Sequence, residues 1–401
     1  MIREIQIENY KSVQKLKLNI GRITVLIGEN GSGKSNILEA IALSSAAAGN
    51  KLDNEFLASR GIRVTEPHLM RAAFDKENIT KRIIIFFKGD NEAFFNFLLE
   101  NDNTPYSKWV NISTAPITFN KKLDDIGKRV TELEIRLREL DDIVNKPKEY
   151  QIEKEKISQK FEKVKELEKN DPWIKVLFGL LKEFIIFSPE NLTLHKFEEL
   201  GQIQPLGIYG EGLFKLLKVL SLDENKEKFN EIKEKIRLTG WFRDFQIPQN
   251  LFEGERQIRI KDRYLDENLT FDQKSSNEGF MFLLFYFALF ISDDTPRFFA
   301  IDNIDASLNP KLCRQLIKEL VKLAEKYDRQ VIFTTHNPAV LDGLNLDDDE
   351  QRLFVVSRNK LGYTETKRIL KPKPLDGQKP VKMSEAFLRG YIGDHKCKLR
   401  A

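Results

Sequence analysis

The chain has 401 residues, 41% of them hydrophobic and 31% charged, a mixture that excludes a fibrous or largely disordered polymer and allows one large α/β unit with insertions, or two domains. A net charge of +4 permits a nucleic-acid partner without arguing for one, so any basic face must be local. Two cysteines, Cys313 and Cys397, lie far apart with no paired metal-ligand spacing, and a reduced, cytoplasmic protein is expected.

The opening MIREIQIENYKS lacks the apolar stretch of a secretion signal and reads instead as a strand, Ile2 to Glu8, with a second at Leu16 to Asn19. A β-run from Ile23 to Ile27 then enters a glycine-rich loop, and a helix follows from about Lys34 to Ser45. Between Leu52 and Ile117 the pattern is mixed, with one clear strand candidate at Arg82 to Phe87. From Lys121 to Asn170 apolar residues fall at Ile126, Val130, Leu133, Leu137, Leu140 and Val144, four and three apart as a heptad seam requires. Pro147 interrupts that seam and Ile157, Phe161, Val164 and Leu167 restart it, which predicts an antiparallel coiled-coil hairpin with arms of about 30 Å. Its 14 basic and 13 acidic residues leave the surface nearly neutral, a face for protein rather than for DNA.

A helical region is expected from Trp173 to Ile236, broken by the turn Pro205 to Gly212, and then a strand-like stretch from Gln257 to Arg263. The last third alternates an apolar helix, Phe280 to Ile291, a strand, Phe298 to Ile301, a helix, Lys311 to Tyr327, and a strand, Val331 to Thr334, which implies a largely parallel sheet. The apolar helix falls short of the roughly 18 to 20 residues that span a bilayer, so no membrane partner is expected. The expected divisions are 1–120, 121–170, 171–270 and 271–401.

The strongest chemical signal is Gly28-Glu29-Asn30-Gly31-Ser32-Gly33-Lys34-Ser35, a complete phosphate-binding loop between a strand and a helix. Its glycines let backbone N–H groups turn inward, Lys34 reaches the β and γ phosphates of a nucleotide, and Ser35 ligates Mg²⁺. The contact set is Asn30, Gly31, Ser32, Gly33, Lys34, Ser35 and Asn36. Such a loop needs a carboxylate for the metal at the end of a neighbouring strand, and Phe298 to Ile301 leads directly to Asp302. His336, at the end of another strand, is placed to bring an imidazole to the γ-phosphate edge.

These pieces, in this order, resemble the ABC-type ATPase heads of the SMC, RecF and OLD families. Ile7-Glu8-Asn9-Tyr10-Lys11-Ser12 looks like the β-hairpin that begins such heads, Asp302 to Asn309 like their Walker B and D-loop run, and Thr335-His336-Asn337-Pro338 like their histidine switch. Ser275-Ser276-Asn277-Glu278-Gly279 is a partial match to the signature loop, which implies that Ser276 and Gly279 meet the γ-phosphate of a second copy. The resemblance implies an α/β P-loop ATPase head using ATP and Mg²⁺, closing as a homodimer, with catalytic roles for Lys34, Asp302, Asn303 and His336. It departs from the pattern at Asn303, where related heads usually carry glutamate, and that implies slow turnover; Asp305 and Glu278 are the carboxylates that could stand in. The short hairpin and the segment from Ser384 look most like stand-alone OLD-type ATPases of phage defence, which implies a separate nuclease or toxin partner of Toprim or HNH type. The alternative is a RecF-like DNA-repair clamp, for which Arg256, Arg259, Lys261 and Arg263, and Lys367, Arg368, Lys371 and Lys373, are the candidate contacts.

Overall fold

The computed structural model describes residues 1–90, 93–104, 107–113, 117–118, 172–196, 205–247, 257–371 and 381–392. The expected coiled-coil hairpin lies outside the described residues, as do Arg256, Lys373 and Cys397.

Strand β1 (Ile2–Tyr10) turns back sharply into β2 (Val13–Asn19), so both strands run longer than the sequence predicts; Lys11, in the turn, takes φ 44°. Strand β3 (Ile23–Ile27) is buried along its whole length, as a strand covered on both faces must be. Helix α1 (Lys34–Ala48) follows the glycine loop, and α2 (Asn54–Ser59) is capped by the Asp53 side chain. Strands β4 (Ile83–Gly89), β5 (Ala93–Glu100), β6 (Val110–Asn111) and β7 (Ile117–Thr118) complete an antiparallel sheet ordered β2-β1-β4-β5-β6, with β7 also on β5.

The stretch expected to be helical holds α3 (Pro172–Lys182), α4 (Asn191–Leu194), α5 (Leu213–Leu220) and α6 (Lys226–Ile236), but also a short strand, β8 (Ile186–Phe187). That strand escapes a periodicity reading because two residues carry no period; it exists by pairing with a neighbour. A hairpin of β9 (Phe242–Gln246) and β10 (Arg259–Asp262) comes next. The chain then runs through α7 (Glu278–Ile291), β11 (Phe298–Ile301), α8 (Pro310–Lys326), β12 (Gln330–Thr335), β13 (Gln351–Arg358), β14 (Thr364–Ile369) and α9 (Met383–Leu388).

The central sheet has the order β14-β13-β3-β12-β11-β8, all parallel except β14. Alternate residues of its strands enter separate cores. Leu26, Phe298, Ala300, Ile332 and Val356 join α1 and the antiparallel sheet, whereas Val25, Phe299, Ile301, Val331 and Phe333 meet α7 and α8. Every residue of α7 from Phe280 to Ile291 is buried, which explains a helix apolar on all sides, and each large side chain contributes about 2 kcal/mol of burial. No helix among the described residues is long and apolar enough to cross a membrane.

Arg329 is 2% exposed and fixes the back of this core. Its guanidinium donates to the carbonyls of Phe290 (3.1 Å), Thr295 (3.0 Å) and Ser292, tying the end of α7 to the start of β12. The acidic run Asp347 to Glu350 is a set of anchors: Asp347 pairs with Lys371, Asp349 with Arg352 and Arg368, and Glu350 with Arg3.

Candidate functional site

Register places the site. Ile27 of β3 stands opposite Thr335 of β12 and Val355 of β13, and Ile301 of β11 opposite Phe333 of β12. The loops after β3, β11 and β12 therefore leave the same edge of the sheet, the carboxyl edge at which open α/β sheets bind ligands. Between them is a polar cavity of about 390 Å³ lined by Asn30, Gly31, Gly33, Lys34, Ser35, Asn36, Asp302, Asn303 and His336, all singled out from sequence, and by Arg63 and Arg358, which were not.

The glycine loop has little conformational choice. Gly31 and Gly33 sit at φ 75° and 104°, and a Cβ on Gly33 would fall 2.0 Å from Thr364 Oγ1. No side chain caps the amino end of α1 and no acidic residue occupies its first turn, which leaves the positive end of the helix dipole open to an anion. Lys34, 5% exposed, folds back to donate to the Gly28 and Glu29 carbonyls at 2.7 and 2.9 Å. Burial pushes its ammonium below the usual lysine range, against the opposing pull of Asp302 and Asp305. Ser32 Oγ is buried without a hydrogen-bond partner.

Ser35 donates to Asp302 Oδ2 at 2.9 Å across the gap between α1 and β11. Thr334 donates to the other oxygen of Asp302 and accepts from the Asn303 N–H at 2.9 Å, so the β12 strand fixes both the carboxylate and the residue after it. His336 Nδ1 lies 3.0 Å from the Gly28 carbonyl and 3.3 Å from Lys34 Nζ; a protonated Nδ1 donates to the first, an unprotonated one accepts from the second.

Asn303 is exposed at φ 57°, a conformation asparagine tolerates better than longer side chains. The two possible stand-in carboxylates are held differently. Asp305 Oδ1 accepts from Thr335 at 2.6 Å, immediately behind the cavity. Glu278 spends both oxygens elsewhere, on Asn191 Nδ2 and Ser307 Oγ at 2.7 Å each.

Ser276 and Gly279 do not line the cavity of their own chain. Ser276 donates to the Gln273 carbonyl at 2.8 Å, and Asn277, not serine, caps α7 through the Phe280 N–H at 2.9 Å.

Arg63 reaches the cavity from the loop after α2, held by Glu39 at 2.5 Å and Asn36 at 3.0 Å. Glu39, buried on α1, also accepts from Lys11 and Tyr10. Arg358, at the end of β13, donates to the Gly31 carbonyl at 2.8 Å. Neither arginine belongs to a motif, and only the folded chain brings them to the loop. A second cavity of about 480 Å³ adjoins the first through Asn36, Arg63 and Arg358 and is bounded by Lys11, Ser12, Leu69 and Phe74. Among the basic candidates for DNA, Arg368 and Lys371 are engaged by Asp349 and Asp347.

The family model described as "AAA domain, putative AbiEii toxin, Type IV TA system" matches residues 23–342. An uncharacterized protein of Methanocaldococcus jannaschii is 33% identical over 116 residues, 27% of this chain and 50% of that protein. The DNA replication and repair protein RecF of Bacillus thuringiensis is 40% identical over 55 residues, 14% of this chain and 15% of RecF. The match thus spans about half the length of the first of these curated relatives and far less of RecF. Among solved structures, an Smc head bound to the C-winged helix domain of ScpA aligns over 92% of this chain and 97% of its own, with TM-score 0.54 and 16% identity, which shows a shared fold.

Proposed function

We propose that this chain, which belongs to the AAA_21 family of AAA domains and has the fold of an SMC head, is an ATP-binding switch that closes as a homodimer to control a separate effector. One observation carries the nucleotide reading: Lys34, Ser35, Asp302 and His336, from the segments that follow three adjacent parallel strands, converge on one cavity beside the uncapped amino end of a helix. The residues suit the group. Ser35 and Asp302 are hard oxygen donors of the kind Mg²⁺ takes, and Ser32 Oγ is buried with no bond of its own to give up. Bound Mg-ATP supplies the phosphoryl group whose transfer to water is the reaction.

In this reading Lys34 exchanges the Gly28 and Glu29 carbonyls for β and γ phosphate oxygens, and its positive charge becomes better compensated there. Ser35 and Asp302 hold the metal, His336 meets the γ-phosphate edge, and the second cavity receives the base between Phe74 and the two arginines. Asn303 orients water without accepting a proton, so turnover is slow. Ser276 and Gly279, which do not line their own cavity, cap the nucleotide of the second copy. The effector is a nuclease or toxin subunit, of Toprim or HNH type; the family description, which names a toxin of a type IV system, supports a defence role.

Calorimetry with Mg-ATP tests the premise: the native chain takes up nucleotide, Lys34→Ala does not, and failure of the native chain to bind overturns the reading. A RecF-like clamp has the 55-residue likeness to RecF in its favour. ATP-stimulated, salt-dependent binding to duplex DNA in the absence of any effector would select it instead.

A further inference from the structure

Two consecutive carbonyls of the glycine loop are held by the hairpin of β13 and β14. Arg358 Nε, at the end of β13, donates to the Gly31 carbonyl at 2.8 Å, and Thr364 Oγ1, at the start of β14, to the Ser32 carbonyl at 3.0 Å. Peptide units are planar and trans, so a carbonyl tied to the hairpin turns the N–H of the next residue the opposite way. The Gly33 N–H, opposite the Ser32 carbonyl, has no hydrogen-bond partner among the described residues. Gly31 and Gly33, at φ 75° and 104°, flank Ser32, so the tied peptides lie where the backbone is freest to rotate. A Cβ on Gly33 would meet Thr364 Oγ1 at 2.0 Å and Ser12 Oγ at 2.8 Å, so both hydroxyls are packed directly on the loop.

Thr364 and Ser12 are 2% and 3% exposed, and Thr364 lines neither cavity. Their hydroxyls belong to a row of hydrogen bonds whose directions are fixed by its two ends. A carbonyl only accepts, so the single Thr364 proton goes to Ser32, and Ser12, 2.7 Å away, must donate to Thr364 Oγ1. A guanidinium only donates, so Asn36 turns its oxygen to Arg63 Nη2 at 3.0 Å and its Nδ2 to Ser12 Oγ at 2.6 Å. Every link then has a single sense, from Arg63 through Asn36, Ser12 and Thr364 to the Ser32 carbonyl. The row is anchored at both ends: the Thr364 N–H donates to the Ser12 carbonyl at 2.8 Å, and the buried Glu39 carboxylate accepts Arg63 Nε at 2.5 Å.

We propose that Thr364 and Ser12 are positioning residues for the nucleotide: Thr364 fixes the Ser32 carbonyl so that the Gly33 N–H is turned to the phosphates, and Ser12 orients Asn36 and through it Arg63. The inference rests on the proposed nucleotide reading. No residue of the row touches a reacting atom; what it supplies is a loop already shaped for the triphosphate, whose ordering the ligand then need not drive.

Calorimetry with two probes, Mg-ATP and inorganic triphosphate with Mg²⁺, tests it. Thr364→Val keeps the branched shape and removes the hydroxyl; it should weaken both probes alike, by about tenfold, the size of one buried hydrogen bond. Thr364→Ser retains the hydroxyl and should bind both within about twofold of the native chain, although the loss of a buried methyl lowers its melting temperature. Ser12→Ala should weaken Mg-ATP by about threefold, and the double variant Ser12→Ala with Thr364→Val should lose little more than Thr364→Val alone. Native affinity in Thr364→Val, or a loss confined to ATP, would overturn the proposal. So would a Thr364→Ser variant as weak as the valine one, since packing and not the hydroxyl would then decide. Should Thr364→Val fail to fold, Thr364→Ser and Ser12→Ala decide: weak binding by the first or native affinity in the second refutes the row. A native chain that binds both probes without responding to Thr364→Val sinks this inference alone, whereas one that takes up neither probe sinks the nucleotide reading as well.

Discussion

Replacing Asn303 by glutamate tests the chemical consequence of the residue that follows the metal-side aspartate. The side chain at 303 is exposed on the lip of the cavity, and its backbone N–H is already satisfied by Thr334, so a longer side chain meets no packing obstacle. The obstacle is conformational. At φ 57° glutamate is less at ease than asparagine by about 1 kcal/mol, which weakens the correctly placed loop by roughly fivefold and lowers the melting temperature by no more than about 2 °C. Against that, a positioned general base contributes about 10²- to 10⁴-fold to a proton-transfer step. The gain exceeds the loss, and steady-state phosphate release by Asn303→Glu should rise at least about tenfold over the native chain. Asn303→Asp, which tolerates the same φ but reaches less far, should fall between them. Equal rates in native chain and Asn303→Glu, with Mg-ATP affinity intact by calorimetry, would refute the claim that a missing base limits turnover here.

Other outcomes follow from the same geometry. Gly33→Ala must adopt φ 104° with its Cβ against Thr364 Oγ1; it should lose about 2 kcal/mol or more of stability in denaturant unfolding, together with nucleotide uptake. Arg329→Ala strips a buried cation from the carbonyls at the end of α7 and should cost about 3 kcal/mol or more, against near zero for Lys15→Ala, whose ion pair with Glu8 is exposed. Ser276→Arg, outside its own cavity, should leave calorimetric ATP affinity unchanged while abolishing ATP-dependent dimerisation. Burial and the Asp305 charge push the Cys313 thiol up to about 12 from its usual 9.0. The folded chain therefore holds that proton where the unfolded chain has released it, so the associated stability is complete below about pH 9 and is lost as pH rises toward 12. Iodoacetamide at pH 8 should accordingly leave Cys313 unmodified until the chain is denatured.

Much of this architecture was legible because its signals are local. Gly28 to Ser35 is a contiguous motif, and β3, β11 and β12 are short apolar runs that lead into the residues lining the cavity, so chain order alone suggested their convergence. α7 was found from an unbroken apolar run, its true start differing by two residues because Asn277 caps it. What escaped has no local signature. β8 is two residues long and exists only by pairing with β11. Arg63 and Arg358 lie 295 positions apart and meet only across the cavity. Whether Asp305 or Glu278 lay nearer the nucleotide strands was equally open in the sequence, because the answer depends on Thr335 and Ser307 as hydrogen-bond donors and not on spacing.

The contrast between the two carboxylates bears on how such a head could be controlled. Glu278 fastens the segment from Asp302 to Asn309 to the amino end of α7 through Ser307, with Asn191 donating to its other oxygen, and so cannot approach a water at the cavity without breaking both bonds. Asp305 keeps one oxygen uncommitted, but it sits behind Thr335 and not on the cavity wall. Neither lines the cavity, and that leaves Asn303 as the residue of the segment beside Asp302 that does. On the proposed reading, a chain built in this way holds a triphosphate while lacking the group that would discharge it quickly. Long occupancy of a closed state is the expected behaviour of a timer or sensor, and the lifetime of the ATP-bound dimer, measured by nucleotide chase, should exceed that of Asn303→Glu by the same factor as the change in hydrolysis rate.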